Sequence, residues 1–234
     1  MSVKAFLLGR GGGIDKPAAL GYHGDETRKT RSVPKLDLII LSGLPASGKS
    51  TVARMLQAAF PFPIIEKDRI KECLFDALGF QSHEEKRRLD AAAARILLRF
   101  AEDIMVTGGG VILDNNFDTA AGEALRALQG RLSPRSVTLL LTADEEVLYE
   151  RYLARDLAHT RHPGHAVSDR YPPLPGDPEV APMEKEGFAR RYLSRGMGEV
   201  SWDGPVIRVD TTDLDALDSA ALISQVRAAL EAQC

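Results

Sequence analysis

The residues Gly43-Leu44-Pro45-Ala46-Ser47-Gly48-Lys49-Ser50 fit the pattern G-x-x-x-x-G-K-[ST]. They stand between an apolar run, Leu36 to Ser42, and a stretch of helical periodicity that begins at Lys49. A glycine-rich loop so placed turns successive backbone N–H groups toward a phosphate, and the helix behind it adds the partial positive charge of its N-terminus. The motif needs a strand feeding the loop and a helix leaving it, so it constrains the fold before any other residue is read. Its residues, with Thr51, form the candidate nucleotide-binding set. Lys49 is placed to reach the β- and γ-phosphates of ATP and Ser50 to put its hydroxyl on Mg²⁺, while Thr51 helps the helix start rather than touching the metal.

The chain then repeats the same rhythm of short apolar strand and amphipathic helix. Leu36 to Ser42 reads as the first strand and Lys49 to Phe60 as its helix. Pro63 to Glu66 is a second strand, with a helix from about Asp68 to Leu78. A long helix opens at Ser82, where Ser-His-Glu-Glu has capping-box spacing, and runs to about Val106. Strand Val111 to Asp114, helix Asp118 to Leu132, strand Ser136 to Thr142 and helix Asp144 to about Ala158 follow. Between His162 and Pro182 six prolines break the pattern, and the stretch from about 155 to 182 reads as an irregular lid. A helix from about Glu184, strand Pro205 to Asp210 and a last helix from Asp215 complete the series. Strands alternating with helices build a parallel sheet covered on both faces, so the expected fold is α/β, a P-loop NTPase with five parallel strands and a lid.

With 234 residues, 44% hydrophobic and 27% charged, one core can bury most of the apolar surface, so residues 36–234 read as a single domain. Residues 1–35 read as a flexible tail, and the cluster Gly9 to Gly13 inside them leads into Asp-Lys-Pro rather than a helix, against a dinucleotide fingerprint. The net charge of −3 offers no general field for a long nucleic acid. Cys73 and Cys234 are far apart, no cleavable leader is visible, and no apolar run approaches a membrane span, so a cytoplasmic location is expected.

The missing signatures narrow the chemistry further. Asn115 and Asn116 are the only asparagines and neither precedes Lys, so the guanine-reading Asn-Lys-x-Asp is absent. Val111-Ile-Leu-Asp114 is followed by Asn, not by the Glu that a hydrolytic motor uses on water, and Asp144-Glu145-Glu146 suits a helix start. Asp68 and Lys71 are one helical turn apart after the second strand. Asp68 is either an N-cap or the carboxylate that receives an alcohol's proton, with Lys71 as a cation beside it. Asp114 ends a strand and could serve the metal, the acceptor or the fold alone. Arg151 and Arg155 lie at i and i+4 with no acid three or four positions away, which suits contact with a polyanion or a solvated face. Arg161, at the mouth of the lid, is a candidate cation for the transferring phosphate or the acceptor, and His162 and His165 read as surface histidines in a turn.

Taken together, GLPASGKST, Glu66-Lys-Asp68-Arg-Ile-Lys71, Gly110-Val-Ile-Leu-Asp114-Asn-Asn116 and Arg151-x-x-x-Arg155 resemble the P-loop kinases that include polynucleotide 5′-hydroxyl kinase, chloramphenicol phosphotransferase and zeta toxins, over about residues 36 to 212. The resemblance implies ATP and Mg²⁺ as cofactors and Asp68 as general base, with Lys71 and Asp114 on the acceptor side. It also implies Arg155 as the lid arginine, Arg151 one turn earlier, and an adenine pocket near Asp210-Thr211-Thr212. Arg161-His-Pro-Gly-His165 and the proline-rich stretch depart from the polynucleotide kinase lid. A small hydroxyl acceptor is therefore expected, with a 5′-hydroxyl nucleic-acid end or an acceptor-free nucleotide-binding module as the alternatives.

Overall fold

The computed structural model describes residues 35–167, 169–192 and 199–233. Almost all of the 1–35 stretch, with Gly9 to Gly13, lies outside the described residues. The strands are β1 (Asp37–Gly43), β2 (Ile64–Glu66), β3 (Gly110–Asp114), β4 (Arg135–Thr142) and β5 (Val206–Asp210). They form a single parallel sheet in the order β2-β3-β1-β4-β5. The helices are α1 (Lys49–Ala59), α2 (Lys67–Leu78), α3 (His83–Val106), α4 (Thr119–Leu132), α5 (Glu145–Leu157), α6 (Pro163–Ala166), α7 (Lys185–Tyr192) and α8 (Ser219–Glu231).

Alternation along β1 explains the layering. Ile39 and Leu41 point to one face, where they pack with Val52 and Leu56 of α1 and Leu222 and Val226 of α8. Leu38 and Ile40 point to the other, against Leu97, Ala101 and Met105 of α3 and Leu125 of α4. All four β1 side chains are 0% exposed, and burial of each such side chain stabilises the fold by ~1.5–3 kcal/mol, which is why the run is apolar without a break. A third cluster, Leu148, Tyr152, Phe188 and Tyr192, joins α5 to α7. Parallel pairing aligns Leu41 with Asp114 and Glu66 with Asp114, so the carboxyl ends of β1, β2 and β3 meet at one edge. That edge is where open α/β sheets bind ligands.

Local signals set most helix ends. The Ser82 Oγ accepts the Glu85 N–H at 3.2 Å, and Glu85 Oε2 accepts the Gln81 N–H at 2.6 Å, a capping box whose return bond reaches one residue early. Asp118 caps α4 by accepting the Ala121 N–H at 3.1 Å. Asp144 stands at the N-cap position of α5 without a side-chain bond, so its acids act there through the helix dipole alone. The last helix begins at Ser219, later than the expected Asp215. Asp213 Oδ1 first gathers the N–H groups of Asp215 (3.0 Å) and Ala216 (3.3 Å) into a turn, and Asp218 then caps α8 through Ala221 (2.9 Å).

The stretch after His162 is less irregular than its prolines imply. It contains α6, and Tyr171 pairs with Phe80 as an antiparallel bridge with backbone bonds of 2.8 and 2.9 Å. The lid is thereby pinned to the turn between α2 and α3. Among the described residues no helix is long and apolar enough to cross a membrane.

Candidate active site

The loop between β1 and α1 takes the shape a phosphate cradle needs. Ala46 and Gly48 both adopt left-handed backbone (φ 67° and 81°), which bends consecutive N–H groups inward. A Cβ on Gly48 would meet the Leu214 methyls at 3.1 Å. Gly43 is tighter still: at φ 145° an added Cβ would stand 2.4 Å from the Leu141 carbonyl oxygen of β4. Gly43→Ala is therefore expected to destabilise the protein by at least ~2 kcal/mol through backbone strain and overpacking, read as a lowered thermal midpoint. An unchanged midpoint would contradict this loop geometry.

Lys49 is buried, and its ammonium donates to the carbonyls of Gly43 (3.1 Å) and Leu44 (2.9 Å), so the side chain is folded over its own loop. Burial pushes its pKa below the ordinary value, while Asp114 and then Asp68 oppose that shift. Ser50 donates its hydroxyl to Asp114 Oδ2 at 3.2 Å, joining the start of α1 to the end of β3. Asp114 is 8% exposed, and burial pushes its carboxyl up to about 6 against the pull of Lys49.

These groups line one wall of a cleft of about 720 Å³. Asp68, in the first turn of α2, is exposed to the same cleft and lies among its charged residues. Its side chain caps nothing in α2, where Glu66 holds the N-cap position. Burial alone would raise the Asp68 carboxyl, but His165, Lys71, Lys67 and Lys49 together hold it below the usual carboxylate value. His165 is itself pushed down to about 3 by burial, so it is neutral at pH 7 and the lysines do the holding there. Lys71 lines the cleft and pairs with Asp90 Oδ1 at 2.8 Å, while Lys67 takes Asp90 Oδ2 at 3.0 Å.

The arginines separate into three situations. Among the described residues the Arg155 guanidinium makes no hydrogen bond or ion pair. It faces the cleft, where burial and the nearby Arg161 lower its pKa. Arg151 donates to the carbonyls of Thr211 (2.8 Å) and Thr212 (3.0 Å) and so braces the turn after β5, while also lining the cleft. Arg161 is set by Tyr152 Oη (3.0 Å) and Asp156 (3.4 Å), with its guanidinium 5.2 Å from the Tyr152 ring centre. Thr211 is 0% exposed and its hydroxyl faces the carbonyls of Ser47 (3.0 Å) and Thr142 (2.8 Å), so this side chain braces the phosphate loop from beneath.

The expected surface histidines are not at the surface. His165 is buried with Nε2 3.0 Å from Glu72 Oε1, and His162 Nε2 lies 3.0 Å from Asp76 Oδ1 while its Nδ1 accepts the Gly164 N–H. Both tie α6 to α2, because an apolar pocket made by Phe75, Phe80 and Tyr171 draws the rings inward. Asp90, Glu72, Lys86 and Arg191 also line the cleft and were not singled out from the sequence. Each is a charged residue on an amphipathic helix, where local pattern does not separate a cleft face from a solvent face.

A protein of Chloroflexus aurantiacus to which kinase activity is ascribed is 31% identical in sequence and superposes with a TM-score of 0.67, covering 84% of this chain and 98% of its own. The shikimate kinase of Rhizobium meliloti is 27% identical over 157 residues, which is 62% of this chain and 76% of that enzyme. Kti12 of Chaetomium thermophilum, solved with ADP-AlF3, shares the fold at 20% identity with a TM-score of 0.52, over 82% of this chain and 98% of that one. The AAA domain model matches residues 38–170, more than half of the chain, from β1 through the site to α6. This family is broader than the groups suggested by the short motifs, and it fits both the parallel sheet and the phosphate loop: the chain belongs to the AAA domain family, with a P-loop site at the carboxyl edge of its sheet.

Proposed function

We propose that this cleft transfers the γ-phosphate of ATP to a hydroxyl group of a small molecule. One observation carries the reading: Asp68, a carboxylate at the start of α2, shares a cleft with Lys49, Lys67 and Lys71 and with the Ser50–Asp114 pair. A water-activating glutamate does not follow Asp114, where Asn115 stands instead. The kinase names of the relatives support the same class, and a cleft of about 720 Å³ suits a small acceptor better than a nucleic-acid end.

The roles follow from position. Loop N–H groups and the α1 N-terminus bind the β- and γ-phosphates, and Lys49 turns from the Gly43 and Leu44 carbonyls to the phosphate oxygens. Ser50 Oγ and Asp114 Oδ2 are adjacent oxygen donors that fit Mg²⁺, which when bound would neutralise charge on the phosphates. Asp68 orients the acceptor hydroxyl and takes its proton late, when the alcohol has become acidic through bonding to phosphorus. A carboxylate with a lowered pKa suits that timing, being ionised but a weak base. Arg155, unpaired among the described residues, supplies positive charge to the transferring group. Arg151 and Thr211 hold the nucleotide side of the cleft in shape.

The test is ADP release from ATP and Mg²⁺ with a panel of sugars, polyols, hydroxy acids, aminoglycosides, nucleosides and 5′-hydroxyl oligonucleotides. Acceptor-dependent release with a small alcohol is expected. Release only with the oligonucleotides, or none above the acceptor-free background, would sink the reading.

A further inference from the structure

The acceptor side of the cleft carries an ammonium group that the protein does not answer. Lys86, on α3, is 7% exposed yet lines the cleft. It donates to the His165 and Val167 carbonyls, both neutral acceptors, and its third N–H has no protein acceptor among the described residues. It also stands over the rings of Phe80 at 5.5 Å and Phe75 at 5.9 Å. Asp90, one turn along the same helix, would be the obvious partner, but its two oxygens are engaged by Lys71 and Lys67.

The other charges nearby do not make up the deficit. Arg161 is balanced by Asp156, and Glu72 is turned to the neutral His165 ring, with Oε1 3.0 Å from Nε2, rather than to Lys86. Arg191 lines the cleft without an ion pair among the described residues. Burial, then Lys71, Arg191 and Arg161, lowers Lys86 only to about 8, so it remains an ammonium at neutral pH. Asp90 is the one acid that acts on it appreciably, and its oxygens are taken by other lysines. A buried cation left with an open N–H is costly unless an anion joins it, and the cleft it lines is the one a substrate enters.

We propose that the acceptor alcohol is itself an anion, a carboxylate or phosphate ester whose charged group docks on Lys86 and Arg191 while its hydroxyl faces Asp68. This rests on the kinase reading above and narrows its substrate class. The anion makes a charge-assisted hydrogen bond with the open N–H of Lys86, and the α3 lysine thereby selects charged alcohols over neutral ones of the same size.

The first arm compares matched acceptors: glycerate and glycerol 3-phosphate against glycerol, and gluconate against glucose. The charged member of a pair is expected to have kcat/KM higher by about tenfold or more, and Lys86→Met to remove most of that preference through KM, with the KM for ATP within about twofold of wild type. The carboxylate and phosphate members separate the two sources of charge. Arg191→Gln, at an exposed position, repeats the test should Lys86→Met fail to fold.

The second arm needs no turnover. With the phosphate loop filled by a non-hydrolysable ATP analogue and Mg²⁺, binding of succinate and inorganic phosphate is measured by calorimetry. Either probe is expected to bind wild type about tenfold or more tightly than Lys86→Met. Neutral alcohols used as well as charged ones, or probe binding that ignores the substitution, would overturn the proposal. Absent transfer with intact, Lys86-dependent probe binding would defeat the kinase reading while leaving the anion site standing.

Discussion

Asp68→Asn is expected to lower acceptor-dependent phosphoryl transfer by ~10²–10⁴-fold while leaving nucleotide affinity and fold in place. The amide keeps the size of the carboxylate and can still accept a hydrogen bond, but it cannot receive the hydroxyl proton. Two features make this a functional and not a structural loss. Glu66, not Asp68, holds the N-cap position of α2, so no helix cap is removed. Lys67 and Lys71, which with His165 and Lys49 hold Asp68 below its ordinary pKa, also keep Asp90 down at about 2, and Asp90 retains its pairs with both in the variant. The decisive readout is kcat against the KM for ATP under saturating acceptor. A kcat within about threefold of wild type would remove Asp68 from the role of base.

Asp114→Asn is expected to raise stability at neutral pH. The Asp114 carboxyl is raised from the ordinary 3.8 to about 6, so the folded protein holds a proton that the unfolded chain releases, and the charged form is penalised at neutral pH. The penalty is fully present above pH about 6, shrinks as pH falls through that value, and is gone below about 3.8, where both states are protonated. Its ceiling at neutral pH is ~3 kcal/mol, and the net gain is smaller because Lys49 loses its strongest counter-charge in the variant. The nucleotide-free Asp114→Asn protein should therefore melt higher than wild type at pH 7 to 8, with the gap closing toward pH 4. A variant that melts lower at neutral pH, or a gap that does not change with pH, would contradict the buried, destabilised carboxylate. Stability lost at a site in return for chemistry there is a common arrangement.

The sheet was legible because each strand is a local apolar run with a turn or helix signal at its end. Leu38 to Leu41 could hardly be anything but a strand buried on both faces, and the Walker-type loop supplied the order of strand, loop and helix. Asp68, Asp114 and Lys49 could be expected to share one cleft because their positions at strand or loop ends are fixed by the same pattern. What remained hidden depends on partners distant in sequence. Lys86 sits beside Arg87 and Arg88, and no local feature separates it from them; it is buried by carbonyls 79 and 81 residues away. His162 and His165 looked like turn residues because Pro163 and Gly164 surround them, yet Phe75, from a helix read separately, makes the pocket that draws them in. The Thr211 hydroxyl turns to the Ser47 and Thr142 carbonyls, a direction that only tertiary structure decides at a strand end. The late start of α8 reflects two acids that can each collect N–H groups, Asp213 in the turn and Asp218 at the helix, a choice that spacing alone leaves open.

The fate of the γ-phosphate tests the central claim most directly. Phosphorus NMR of ATP, Mg²⁺, the protein and the acceptor that gives the largest ADP release should show ADP together with a new phosphate-monoester resonance in equal amounts, and the ester should be absent with Asp68→Asn. Inorganic phosphate as the only new product, or ATP left intact with every small alcohol tried, would contradict transfer to a hydroxyl.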